Sequence, residues 1–116
     1  MKKKMADIEK IKKEIVKKMM AIKPEKIVIF GSYAHGNPEE DSDLDLYVVT
    51  NDNFMPKNYR EKSEVYLKVS RVIRDMRKKI PIDLIAHTRK MHKKFIELDS
   101  MFAREIMNEG VIIYEH

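Results

Sequence analysis

The sequence has no cysteine, no tryptophan and no glutamine, only three glycines and four prolines, and no long apolar run. Without cysteine there can be no disulfide, thiolate zinc site or cysteine nucleophile. No stretch approaches the roughly 20 apolar residues that a membrane-spanning helix requires. Met1-Lys2-Lys3-Lys4 opens like the basic end of a secretory leader, but Glu9, Lys10, Lys12, Lys13 and Glu14 interrupt any apolar segment behind it. The expected location is the cytoplasm. Neither a repeat nor a low-complexity tract or linker divides the chain.

What is present fits one domain over residues 1–116, long enough to bury a single core without staples. Charge is abundant: 24 Lys and Arg against 19 Asp and Glu leave a net +5. That excess suits a nucleotide, a nucleic acid or an acidic protein partner, and does not choose among them.

Apolar residues at Ile8, Ile11, Ile15, Met19 and Ile22 recur at helical spacing and predict an amphipathic helix over 5–22, stopped by Lys23-Pro24. Ile27 to Phe30 is a short run suited to a strand buried on both faces. Gly31 to Gly36 reads as a tight turn entering one or two helical turns, and 37–41 as a loop. Asp43 to Thr50 predicts a second strand, with Leu44, Leu46 and Val48 on one face and Asp43, Asp45, Tyr47 and Val49 on the other. A long helix is expected over 59–79, a third strand over Ile80 to Ala86, one helix carrying Phe95, Leu98, Phe102 and Ile106, and a last strand over Val111 to Tyr114. The fold class is therefore α/β (α+β), a small mixed sheet of about four strands flanked by helices.

The chemistry gathers between residues 31 and 45. Gly31-Ser32 follows the first strand, and a small, backbone-exposing turn can hold phosphate on its N–H groups. The Ser32 hydroxyl is a further donor. Asp43 and Asp45 lie two positions apart on the next strand, so their side chains share a face. Taken alone, Asp-x-Asp is a solvated acidic turn, here continued by Glu39, Glu40 and Asp41. Asp83 changes that reading. It stands among Ile80, Ile82, Leu84 and Ile85, where a carboxylate is costly without a partner, either a basic residue or a cation. If its strand neighbours the Asp43–Asp45 strand, three carboxylates converge and can bind one or two divalent cations. No P-loop lysine and no dinucleotide-binding glycine triplet accompanies them.

Gly31-Ser32, ten residues, then Asp43-Leu44-Asp45 resembles the motif of the polymerase-β-type nucleotidyltransferase superfamily, and most nearly its minimal nucleotidyltransferase (MNT) domains. Gly36, Ser42, Asp83 and the ending Ile106 to Tyr114 extend the likeness over nearly the whole chain. The resemblance implies a nucleotidyltransferase fold and Mg²⁺-dependent transfer of AMP, or another NMP, from ATP or another NTP to a hydroxyl. By that likeness Gly31 and Ser32 hold phosphates and Asp43 and Asp45 ligate metal. Asp83 completes the site and helps deprotonate the acceptor. Minimal members commonly serve as antitoxins beside a helical HEPN-type toxin, and some place AMP on its tyrosine; either a homo- or a hetero-oligomer is compatible with this, and the sequence does not choose. The alternative is a non-catalytic module that neutralises its partner by covering it.

His35 departs from the pattern, standing where many relatives carry arginine, so a permanent charge is replaced by one that is mostly absent at pH 7. Tyr33, Tyr59 and Tyr66 are candidates to stack on a base, or simply core and surface residues. His87, His92 and His116 lack partners at metal-ligand spacing. The basic run from Arg89 to Lys94 lacks the interleaved aromatics of a nucleic-acid surface, so nucleic acid is not the expected substrate.

Overall fold

The computed structural model describes residues 2–36, 38 and 42–116, with side chains from residue 8 onward. The acidic loop residues Glu39, Glu40 and Asp41 lie outside the described residues. In chain order the elements are α1 (Lys2–Met19), β1 (Lys26–Phe30), β2 (Leu44–Val49), α2 (Tyr59–Val72), β3 (Ile82–His87), α3 (Arg89–Leu98), α4 (Met101–Glu109) and β4 (Val111–Glu115). They form one four-stranded mixed sheet in the order β3-β2-β1-β4. β1 runs antiparallel to β2 and β4, whereas β2 and β3 are parallel, joined by the α2 crossover. No helix among the described residues is long and apolar enough to cross a membrane.

The period-2 alternation of the strands divides the core in two. Ile27, Ile29, Leu44, Leu46 and Val48 pack beneath α1 and α2 with Ile15, Met19, Val69 and Ile73. On the other face, Val28, Phe30, Tyr47 and Val49 meet Ile106 of α4 and Phe95 of α3. Both faces of β1 are covered, as its unbroken apolar run requires.

The first helix runs Lys2–Met19 and not 5–22, with a 3₁₀ turn over Met20–Ile22. β2 begins at Leu44, so that Asp43 precedes it. Three further boundaries also differ from the sequence expectation. The long helix ends at Val72, not Lys79, and a 3₁₀ turn over Met76–Lys78 follows. Ile73 and Met76 stay buried across the break, so the apolar period reads through it. The third strand begins at Ile82, after Pro81, and extends through His87. Pro81 has no N–H, but its carbonyl accepts from the Leu44 N–H at 2.9 Å. The single last helix is two helices. Asp99 takes a left-handed conformation (φ 50°), and Ser100 caps α4 by accepting the Ala103 N–H at 3.0 Å. Asp99 also forms a two-pronged pair with Arg104, at 2.9 and 2.6 Å, across the corner.

Candidate active site

β1 hands the chain directly to the Gly31–Tyr33 3₁₀ turn, and the register Phe30↔Asp45 sets that turn beside Asp45. Gly31 has φ +75°, and a Cβ added there would collide with the Asp45 carboxylate. Only glycine lets the backbone lie this close to the acidic group. The Ala34 N–H closes the turn on the Gly31 carbonyl at 3.0 Å. Ser32 is half-buried at its first bend. Gly31→Ala is expected to cost about 1–2 kcal/mol from the left-handed backbone alone, before the carboxylate is displaced. A urea titration checks it; an unchanged midpoint would mean that the turn relaxes freely.

Asp45 and Asp83 are register partners on the parallel β2–β3 ladder, so their side chains leave the sheet on one face. Asp45 is half-buried, and Asp83 and Asp43 are exposed. Burial raises the Asp45 carboxyl above the ordinary aspartate value. The negative charges of Asp83, Asp43 and Glu105 push it further the same way. Three acidic residues, from the entry of β2, from β3 and from α4, thus act on Asp45. Even so, among the described residues no three His, Asp or Glu side chains converge as a set that could hold a metal ion. The backbone brings Asp45 and Asp83 abreast, while the carboxylates stop short of a closed ligand cage. Their chemistry nonetheless fits a hard divalent cation: clustered anionic oxygen donors, one of them partly desolvated, with glycine backbone against it.

Glu105 was not legible as part of this site, because the expected continuous helix gave no α4 whose start is fixed by Ser100. Tyr33 was a candidate for base stacking; it sits half-buried at the turn, its hydroxyl pushed up by burial and then by the charge of Asp43. Tyr59 projects into solvent, 83% exposed, and Tyr66 is engaged by Arg77 at 3.0 Å. His35 reaches Glu109 of α4 across 3.7 Å, both side chains exposed, which ties the phosphate-side turn loosely to α4. A surface pair of this length contributes little.

His87 and His92 are not idle surface groups. The hydroxyl of Tyr47, fully buried, stands 3.0 Å from Nδ1 of His87 and 2.7 Å from Nδ1 of His92. A hydroxyl has one proton, so it donates to the bare Nδ1 of one ring and accepts the Nδ1–H of the other; burial, which lowers both imidazoles, favours the neutral form of each. Phe95 stacks on Tyr47 at 5.3 Å and closes the cluster. This buried assembly lies on the same sheet face as Asp45, farther along β2, and holds α3 in place.

Comparison with curated proteins gives no match. Among solved structures, the fold is similar to a toxin–antitoxin crystallised with AMP-PNP, at 16% identity and a TM-score of 0.51, covering 90% of this chain and 73% of that one. It is also similar to an aspartate-to-glutamate double mutant of the toxin–antitoxin MntA–HpeT, at 15% identity and a TM-score of 0.52, with the same coverages. A tri-AMPylated Shewanella oneidensis HEPN toxin in complex with MNT antitoxin matches at 14% identity and a TM-score of 0.48, over 94% of this chain and 73% of that one. Identities this low speak to the fold alone. The model of one sequence family, described as polymerase beta, nucleotidyltransferase, matches residues 9–116. With that match running from α1 to the last residue, through the Gly31 turn and the facing aspartates, the chain belongs to the polymerase beta nucleotidyltransferase family.

Proposed function

We propose that this protein transfers a nucleoside monophosphate, AMP in the first instance, from the triphosphate to a hydroxyl of a partner protein. The acceptor we favour is a tyrosine of a HEPN-type toxin in the same cytoplasm, so that the chain acts as an antitoxin. The observation that carries this reading is the pairing of Asp45 with Asp83 directly against the Gly31 turn. The solved toxin–antitoxin structures of similar fold, one with AMP-PNP, support it.

In this mechanism the Gly31–Ser32 backbone and the Ser32 hydroxyl donate to phosphate oxygens of the nucleotide. Asp43 and Asp45 would hold Mg²⁺, with Asp83 completing the set. Bound Mg²⁺ supplies charge neutralisation on the α-phosphoryl group and the departing pyrophosphate. Asp83, exposed on an outer strand of the sheet, is open to an incoming hydroxyl. It accepts that proton as the oxygen attacks in line. Burial, then the negative charges of Asp83, Asp43 and Glu105, raises the Asp45 carboxyl, and a cation bound there would relieve that repulsion. The net +5 of the chain helps draw in the polyanionic nucleotide.

One observation favours the non-catalytic alternative: the carboxylates do not converge as a metal-holding set among the described residues. A single assay separates the two. The protein is incubated with α-labelled ATP, Mg²⁺ and its co-purified toxin partner. Label on the toxin, lost in Asp43→Asn with the complex intact, is the expected result. A stable complex that never acquires label would make the protein a binding module.

A further inference from the structure

Asp83 lies on β3, an outer strand of the sheet paired on one side only, immediately after a proline. An outer strand frays unless its free side is held. The parallel ladder, with the Leu44 N–H bonded to the Pro81 carbonyl, turns the Ile82 carbonyl away from β2 toward that free side. Arg77 meets it there: its Nη2 donates to the Ile82 carbonyl at 3.2 Å and to the Tyr66 hydroxyl at 3.0 Å. Its Nη1 donates to the Ser70 hydroxyl at 2.8 Å, and the guanidinium lies 5.8 Å from the centre of the Tyr66 ring. Among the described ion pairs none involves Arg77. The hydrogen bonds of its side chain join Ser70 and Tyr66 of α2 to the residue before Asp83. A planar fork of donors is suited to this task in a way that a lysine ammonium is not.

We propose that Arg77 is a positioning residue for the carboxylate site: by clamping the free edge of β3 to Ser70 and Tyr66 of α2, it sets Asp83 opposite Asp45. The inference rests on the transferase reading for its kinetic consequence, but its structural half stands without it. Misplacing a catalytic group by about 1 Å can cost about 10²-fold in rate. Arg77→Met, which keeps the apolar stem, is expected to lower kcat about 10- to 100-fold with the KM for ATP changed less than about twofold. Arg77→Lys recovers part of the loss. Should Arg77→Met fold poorly, Tyr66→Phe combined with Ser70→Ala loosens the same clamp with Arg77 retained, and a smaller fall in kcat is expected.

The readout independent of catalysis is amide hydrogen exchange in the full chain. The Asp83 and Ile85 amides, which face β2 in the ladder, should exchange at least about tenfold faster in Arg77→Met, while those of β1 hold their wild-type rates. Unchanged exchange along β3 overturns the inference. So does an equal loss of protection across β1 and β3, which makes Arg77 a general stabiliser. A wild-type protein that transfers no label removes the transferase reading, and the exchange data then decide the clamp by themselves.

Discussion

Asp45→Asn is expected to reduce nucleotidyl transfer by about three orders of magnitude or more, and at the same time to raise the thermal midpoint of the protein without added divalent cation. The loss follows from removing a cation ligand at a step where charge stabilisation contributes several kcal/mol, each 1.36 kcal/mol being tenfold in rate. The gain in stability follows from the environment of the carboxylate. Burial and the charges of Asp83, Asp43 and Glu105 raise its pKa in the folded state. A group whose folded pKa lies above its unfolded one contributes stability at low pH and loses it as pH rises through the folded value. At pH 7 the ionised carboxylate is therefore a cost to the cation-free fold, and a neutral amide of the same shape relieves it. Scanning calorimetry beside the label-transfer assay checks both halves. A fall in midpoint would mean that Asp45 holds the Gly31 turn by hydrogen bonding, not merely tolerates it. Retained transfer would remove Asp45 from the site.

Stability should collapse between pH 6.5 and 4, ahead of general acid unfolding. Burial, then the charges of His92 and Lys62, lower His87 from the ordinary imidazole value to about 4. Burial and then Lys26 lower His92. Here the sign is opposite to that of Asp45. The unfolded chain takes up protons first, near 6.5, while the fold holds both rings neutral. Stability is thus fully present above the unfolded value and drains away as pH falls toward the folded ones. For His87 alone the drop amounts to roughly 3 kcal/mol by the time pH reaches its folded value and below, a large share of a small domain's total. Denaturant midpoints measured at intervals from pH 7.5 to 4 check it. Tyr47→Phe keeps the ring against Phe95 but leaves both Nδ1 atoms without their shared hydroxyl. We expect it to cost about 1–3 kcal/mol at pH 7, with Phe95→Leu as a packing control. A flat profile from pH 7 to 5 would show that the two rings are solvated in solution.

The fold class was legible in the residues themselves, because it rests on local causes. Period-2 and period-3.6 patterns report which face is buried, so four strands and their flanking helices follow from spacing. Gly31-Ser32 and Asp43-x-Asp45 were legible as motifs ending one strand and entering the next, and the antiparallel register of Phe30 with Asp45 brings them together. Boundaries were less legible wherever the apolar period crosses a break. Val72–Ile73 and Leu98–Phe102 keep helical spacing on both sides of a turn, and only the cap at Ser100 and the left-handed Asp99 betray the second.

What the sequence alone determined about this protein is a polymerase beta nucleotidyltransferase chain with a glycine–serine turn and an Asp-x-Asp strand. What only the tertiary structure decided is everything that depends on strand order. Asp83 faces Asp45 because β3 pairs with β2 in parallel register, 38 residues after it in the chain by the numbering of the partners. Glu105, the Tyr47–His87–His92 cluster and the Arg77 clamp likewise join segments with no spacing rule between them. The physical reason is that periodicity encodes the environment of a residue, buried or exposed, whereas the identity of its neighbour is set by packing across the sheet.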